Sequence, residues 1–393
     1  MKHYLCLAML LIALFGLNSK VCGAEPQSGF RLIVLGDTQP QTEEQITRLE
    51  CEILPQIESI VAEYKAADER PVALLITGDV VWDTMEFLPR IKQMFSSLGV
   101  PLYTVIGNHD FDRSVVGDEP LARRHYEAVF GPRYYIAQLG DTPLIALDNI
   151  DYSSYDDYTI GVDREQRRWL RKVLRDYPKD GQVVVAMHAP VVNYRTGKVL
   201  RYARQLLRLF GKREVHFITG HRHRHATADI TPRIIEHSVA QVNGNLWFAP
   251  LCADGTPRGV FCIDERDGEW RWHHRTFTTE PLNPLVVWDE KSLPEMEEYV
   301  VVKVIGWDEK WSVEWRENGE RRGAMEQVTM VDPDYVRYVE QEAEYNEIIM
   351  QRLRRSAIPQ CHYFRCRRTE SNSQITIVAT DRFGTSHSAT TSL

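Results

Sequence analysis

Val215-His216-Phe217-Ile218-Thr219-Gly220-His221-Arg222-His223 is a short apolar run that ends in a glycine, with two histidines directly after it at i and i+2. A run of this length bounded by glycine reads as a buried strand, so a loop leaving its carboxyl end delivers both imidazoles to the rim of a sheet. Three other runs end in the same manner. Arg31 to Gly36 ends in Asp37, Val72 to Gly78 ends in Asp79, and Leu102 to Gly107 ends in Asn108-His109-Asp110. A fifth, Val183 to Met187, ends in His188 without a glycine. Five strands that present an oxygen or nitrogen donor at the same end predict a site at the carboxyl edge of an open α/β sheet. Together the donors predict a two-metal centre.

With 393 residues the chain is too long for one modest core, and two domains are expected. Residues 1–24 stand apart in composition. Lys2 and His3 precede an apolar stretch from Leu5 to Leu17, then polar Asn18-Ser19-Lys20, then small residues up to Ala24. This is the layout of a secretory signal peptide cleaved after Ala24, and the bulky charged Lys20 makes a poor lipoprotein signal before Cys22. No other stretch reaches the ~20 apolar residues of a membrane span. The expected location is secreted or periplasmic. Cleavage removes Lys2 and Lys20 and takes the formal charge from −8 to −10. An acidic protein gains little from the phosphate attraction behind non-specific nucleic-acid binding, so no nucleic-acid partner is expected. Cys51, Cys252, Cys262, Cys361 and Cys366 remain, an odd number with neither disulfide-framework nor zinc-knuckle spacing, and they read as small buried apolar residues.

Strand and helix alternate from about 30 to 225. Helical spacing runs from Thr42 to Tyr64 with a break expected at Pro55, and from Met85 to Ser97, Leu121 to Phe130, Asp163 to Tyr177 and Leu200 to Phe210. From Arg233 to Arg275 the helical spacing disappears, and Arg266-Asp267-Gly268-Glu269 reads as a hairpin turn. Pro281, Pro284 and Pro294 mark a linker. Beyond it, strands at Tyr299–Ile305, Lys310–Arg316, around 362–367 and 374–379 flank one helix from Pro333 to about Arg355. The expected domains are therefore 29–278 and a small β-rich unit at 285–393.

Two divalent ions close together clamp the attacking and leaving oxygens of a phosphoryl displacement and bring the pKa of bound water near neutrality. The site needs one bridging carboxylate, with oxygen and imidazole ligands on each ion. Asp79, on the middle strand of the first three, is the candidate bridge. Asp37, Gln39 and His223 complete one ion; Asn108, His188 and His221 complete the other. His109 is free to protonate the leaving alkoxide, with Asp110 orienting its ring.

The set Asp37-Thr38-Gln39, Gly78-Asp79-Val80-Val81-Trp82-Asp83, Gly107-Asn108-His109-Asp110, His188 and Gly220-His221-Arg222-His223 resembles the calcineurin-like metallophosphoesterases in order and spacing over residues 30 to 275. The resemblance implies a four-layer α/β/β/α sandwich with a dinuclear site at the carboxyl ends of the strands. It also implies hydrolysis of phosphomonoesters or phosphodiesters with manganese, iron or zinc, by attack of a metal-bridged hydroxide. The family usually carries Asp-x-His first, and here Gln39 stands at the histidine position. A branch with glutamine there includes secreted bacterial members with an appended carboxyl-terminal domain. Cys252 to Gly259 and Ala379 to Gly384 resemble that branch too, and the looser of the two ions is expected at Gln39.

Around the core set the sequence leaves choices open. Asp83 either orients a metal ligand or caps the helix at Met85. Tyr152, Tyr155 and Tyr158 either stack on substrate or form a lid. Arg222, Arg224 and His225 read as solvated surface before phosphate contacts, and Asp254 to Pro257 as a turn before a pocket wall. The expected substrate is a small phosphate ester or an envelope component, with no signal for monoester, diester or oligomeric state. The rival reading is a binding protein on the same fold, its metal site impaired at Gln39, that recognises phosphorylated glycan or envelope ligands.

Overall fold

The computed structural model describes residues 29–277 and 283–391; the leader reading at 1–24 and Pro281 lie outside the described residues. Two sheets face each other in the first part. One has five strands in the order Glu269–Thr276, Gly259–Arg266, Gly29–Leu35, Val72–Ile76, Leu102–Thr104, the last three parallel. The other has six: Ala226–Thr231, Ile234–Ser238, Glu214–Thr219, Gln182–Ala186, Thr142–Ala146 and Tyr135–Leu139. In the second sheet the four strands from Ile234–Ser238 to Thr142–Ala146 run parallel. The five predicted donor strands are thus split three and two between the sheets.

Side chains alternate across a strand, so each run feeds two cores. Phe30, Leu32 and Val34 turn inward and meet Leu144, Ala146, Val184 and Ile218 of the facing sheet. Ile33 and Leu35 turn outward beneath helices that contribute Ile46, Ile53, Ile57, Ile91 and Phe95. On the far side Ile145, Val183, Val185 and Phe217 lie under Leu170, Leu174, Leu206 and Phe210. Strands covered on both faces read as unbroken apolar runs, and the layers are helix, sheet, sheet, helix. At Pro55 the helical stretch is divided, a π-helical turn at Leu49–Ile53 leading into Leu54–Ala67. Proline cannot donate to the preceding turn, and the wider turn accommodates it.

The carboxyl-terminal part departs from expectation in three respects. The proposed linker contains a strand, Leu285–Trp288, paired with Val300–Val304. Glu326–Met330 and Ser386–Thr390 complete two four-stranded antiparallel sheets around Val300, Val302, Val313, Ile375 and Ile377. The expected single helix is broken: Pro333–Arg337 ends in a π turn at Tyr338–Glu342, and Asn346 caps a second helix, Glu347–Ser356. Tyr335, Val339, Met350 and Leu353 of these helices pack on Ala249 and Ala253 of the first part. The five cysteines are free thiols, but Cys51 and Cys361 are exposed, because each falls on the outward face of its element. No described helix is long and apolar enough to cross a membrane.

Candidate metal centre

The donors converge where the strands end. Asp79 belongs to two groups of potential ligand atoms, one with His188 and His221 and one with Asp37 and His223. His188 Nε2 lies 3.3 Å from Asp79 Oδ1, 3.1 Å from Asn108 Oδ1 and 3.1 Å from His221 Nδ1. His223 Nε2 lies 3.2 Å from Asp37 Oδ2. Two ligand atoms that share a cation at right angles, each about 2.1 Å from it, are themselves about 3 Å apart. The separations observed among these donors match the edges of such a coordination shell.

Two further observations fit cations. Asp37 Oδ1 is buried without any hydrogen-bond partner, a costly state for a carboxylate oxygen unless a cation accompanies it. His188 Nδ1 is held by the Thr77 carbonyl at 2.8 Å, which places the proton on Nδ1 and leaves the Nε2 lone pair facing the cluster. Burial opposes charge on His188, yet the Asp79 carboxylate outweighs it and raises the imidazole to about 9. The cluster attracts a positive charge to its centre. Burial and the neighbouring His188 push His221 down to about 3, so its ring is a neutral donor.

The backbone is strained to bring these groups together. Twelve non-glycine residues among those described have positive φ, and Asp37, Gln39, Asp79, Asp83, His221 and His223 are half of them. Such conformations cost of order 1–3 kcal/mol each and gather at functional sites. Gly107 shows how tight the approach is: a Cβ there would lie 2.2 Å from Asp79 N and Oδ1.

Two predicted roles change. Asp110 does not orient His109; its carboxylate accepts from Gly107 N–H at 2.8 Å and Val81 N–H at 3.1 Å, pinning the loop. Asn108–Asp110 is a 3-10 turn, which sends successive side chains in different directions. The group on His109 Nδ1 is Asp83 Oδ1, at 2.8 Å. Burial works against a charged His109, but Asp79 and the Asp83 hydrogen bond prevail and raise its pKa. Gln39 was expected to offer an oxygen to an ion, and it is turned the other way. Leu246 N–H donates to Gln241 Oε1 at 3.0 Å, Gln241 Nε2 donates to Gln39 Oε1 at 2.6 Å, and Gln39 Nε2 donates to Asp79 Oδ2 at 2.7 Å. A fixed backbone donor at the start sets the amide orientation along the whole relay.

The flanking residues sort themselves as follows. Tyr152 is buried and stacked on Phe111, so it belongs to the core. Tyr155 and Tyr158 point edge-on at His109 and His221 from the hairpin Ile150–Ser154/Asp157–Ile160. Arg222 is exposed as expected, but Arg224 donates to the Ser356 carbonyl at 3.1 Å, and His225 is half-buried with both ring nitrogens shielded, its ring against Phe261 and His274. Asp254 accepts from Thr256 N–H at 3.0 Å as a turn and also from His225 N–H at 2.9 Å. Sequence reasoning missed Gln241 and Asn243, the latter donating to the Thr38 carbonyl at 2.8 Å. Two amides in a segment without periodicity were their only signal.

Residues 30–225 match the family profile of the calcineurin-like phosphoesterase, and residues 236–387 match that of the C terminal of calcineurin-like phosphoesterase. The chain belongs to the calcineurin-like phosphoesterases. It is a metal-dependent hydrolase of phosphoric esters, of a family that uses a dinuclear metal centre. Comparison with curated proteins returned no match. Among solved structures, a dimetal phosphatase from Danio rerio is 14% identical with a TM-score of 0.43, over 63% of this chain and 96% of that one. A purple acid phosphatase from yellow lupin (Lupinus luteus) seeds is 13% identical with a TM-score of 0.44, over 63% of this chain and 52% of that one.

Proposed function

We propose that this calcineurin-like phosphoesterase is an exported enzyme that hydrolyses small phosphomonoesters or phosphodiesters, or phosphate esters of the cell envelope, with His109 as the proton donor. The observation that carries the reading is Asp79, one carboxylate common to two ligand groups. Asn108, His188 and His221 would hold one ion with Asp79, and Asp37 and His223 the other, with manganese, iron or zinc suited to this mixture of oxygen and imidazole donors. When bound, such ions polarise water and the phosphoryl oxygens and offset the charge that develops in the transition state.

The remaining steps belong to the protein. Gln39 fixes Asp79 through Oδ2, which leaves Oδ1 turned to His188. The Asp83 carboxylate holds His109 by Nδ1, so Nε2 is the atom that faces a substrate. As the oxygen of water bonds to phosphorus, the bond from phosphorus to the alcohol oxygen breaks, and Nε2–H passes its proton to that oxygen. Export is supported by the charged, apolar and small-residue order of residues 1–24.

Turnover of p-nitrophenyl phosphate and bis-p-nitrophenyl phosphate with each candidate metal tests the activity. Hydrolysis that survives Asp79→Ala at full rate removes this site from the reaction. Amino-terminal sequencing of protein recovered from outside the cytoplasm tests export: a mature terminus near residue 25 supports it, and an intact Met1 contradicts it.

A further inference from the structure

We infer that Arg352, on the carboxyl-terminal helix Glu347–Ser356, is a substrate-specificity residue of the metal centre: it receives a second anionic group, such as another phosphate, on the leaving-group side of the substrate. The inference rests on the phosphoesterase reading above. Its geometry is a chain of three groups in contact, the Trp82 and His109 rings tilted by 31° to each other. The Arg352 guanidinium lies 4.5 Å over the centre of the Trp82 ring, and Trp82 lies 4.4 Å from His109, ring centre to ring centre. His109 serves the departing oxygen, so what stands above it faces the departing half of the substrate.

A guanidinium seated on an aromatic face keeps its in-plane N–H donors free, and those donors match a phosphate bidentately. Arg352 has no carboxylate partner among the described residues, whereas Arg354 on the same helix pairs with Glu340 at 3.1 Å. Arg113 provides the contrast within the site. It lies 4.7 Å over Tyr155 on the other flank of His109, but Asp83 Oδ2 stands 3.6 Å away and offsets its charge. In a chain of formal charge −8, an uncompensated cation near the reacting groups acts locally on an anionic substrate.

The helix that carries Arg352 is fixed immediately beyond it. Leu353 is fully buried and its carbonyl accepts from Tyr335 O–H at 3.0 Å, while Tyr335 in turn pairs with Asn245 of the first part. The Ser356 carbonyl accepts from Arg224, one residue beyond His223. The same loop that supplies two imidazoles therefore sets the position of the helix. This gives the second unit a place in the active site and not only beside it.

The full-length protein and its Arg352→Ala and Arg352→Lys variants test this with AMP and ADP, which share a leaving-side nucleoside and differ by one phosphate. Arg352 is exposed, so its replacement leaves the core intact. The expected result is a fall of about tenfold in the ratio of kcat/KM for ADP to that for AMP in Arg352→Ala, with Arg352→Lys between it and the parent. Calorimetric binding of α,β-methylene ADP gives a readout free of turnover, with an expected weakening of about tenfold in Arg352→Ala. An unchanged ratio with unchanged affinity overturns the inference, as does an equal loss on AMP and ADP. Should the parent hydrolyse no phosphate ester with any metal, the enzymatic reading fails, and the binding comparison still decides the role of Arg352.

Discussion

The side-chain nitrogen of Gln39 donates to Oδ2 of Asp79 at 2.7 Å, at the point where family members usually place a histidine. The amide holds the shared carboxylate in place and adds no charge or free lone pair of its own. Gln39→His replaces it with an imidazole whose lone pair can reach an ion. The affinity for the more weakly held metal, measured by competition with a chelator, should rise at least about tenfold. An unchanged or weaker affinity would show that the Gln241 relay, and not ligand count, sets metal retention.

His109 and Asp83 act as a pair, and their loss should be visible in the leaving group. His109→Ala should slow esters of poorly acidic alcohols about a hundredfold while p-nitrophenyl phosphate, whose phenolate departs unaided, loses much less. Asp83→Asn should give the same pattern in weaker form, because the ring loses its charged partner on Nδ1. Asp110→Asn should instead lower kcat for good and poor leaving groups alike. Equal slopes of rate against leaving-group pKa in all three variants would remove the acid role from His109.

The buried Lys303 ammonium pairs with Asp332 at 2.8 Å and donates to the Gly255 carbonyl at 3.1 Å, joining the carboxyl-terminal unit to the turn beyond Asp254. Lys303→Met leaves the Asp332 carboxylate buried without its cation and should cost about 3–5 kcal/mol. The pair Lys303→Met/Asp332→Leu should recover much of that loss. Thermal denaturation reads both, and a double variant no better than the single one would show that Asp332 matters chiefly as the cap on Tyr335 N–H.

Glu236 carries a dependence of stability on pH at a group outside the candidate ligand set. Burial pushes its carboxyl from 4.5 up to about 7, against the Val191 and Val192 N–H groups and the Thr219 hydroxyl that favour the charged form. A carboxyl whose folded pKa lies above its unfolded value contributes stability that is full below the unfolded value and is lost as pH rises through the folded one. Urea midpoints should therefore fall between about pH 5 and pH 8, and Glu236→Gln should flatten that slope. An equal slope in the variant would assign it to other groups.

Much of the centre was legible because its ligands follow apolar runs, and a strand buried on both faces announces both its length and its end. Asp37, Asp79, Asn108, His188, His221 and His223 are all found that way. The orienting carboxylate was not. Asp110 follows His109 in the chain, but a 3-10 turn separates neighbours in sequence, while the left-handed φ of Asp83 brings a distant residue to the ring. Gln241 and Asn243 escaped notice because 239–258 is loop with neither period, held by its own amides. Arg352 had no local signal of any kind, since its place depends on how one half of the chain docks on the other.

In the carboxyl-terminal unit the alternating strands were legible where turns such as Asn318-Gly319 separate them, both residues having positive φ. The sequence from Pro333 onward reads as one continuous helix because its apolar spacing continues. The structure ends it at Glu342, and Asn346 restarts it by accepting from Ile349 N–H, a cap that helical periodicity does not reveal.

The most direct measurement is the metal content of the purified full-length protein and of Asp79→Ala, each paired with its rate on p-nitrophenyl phosphate. The parent should hold two ions per chain, and chelation should abolish turnover until metal is returned. Asp79→Ala should hold at most one ion and lose activity by at least about a thousandfold. A parent that turns over with a single ion, or an Asp79→Ala protein that keeps both ions and its rate, would contradict the shared carboxylate at the heart of the site.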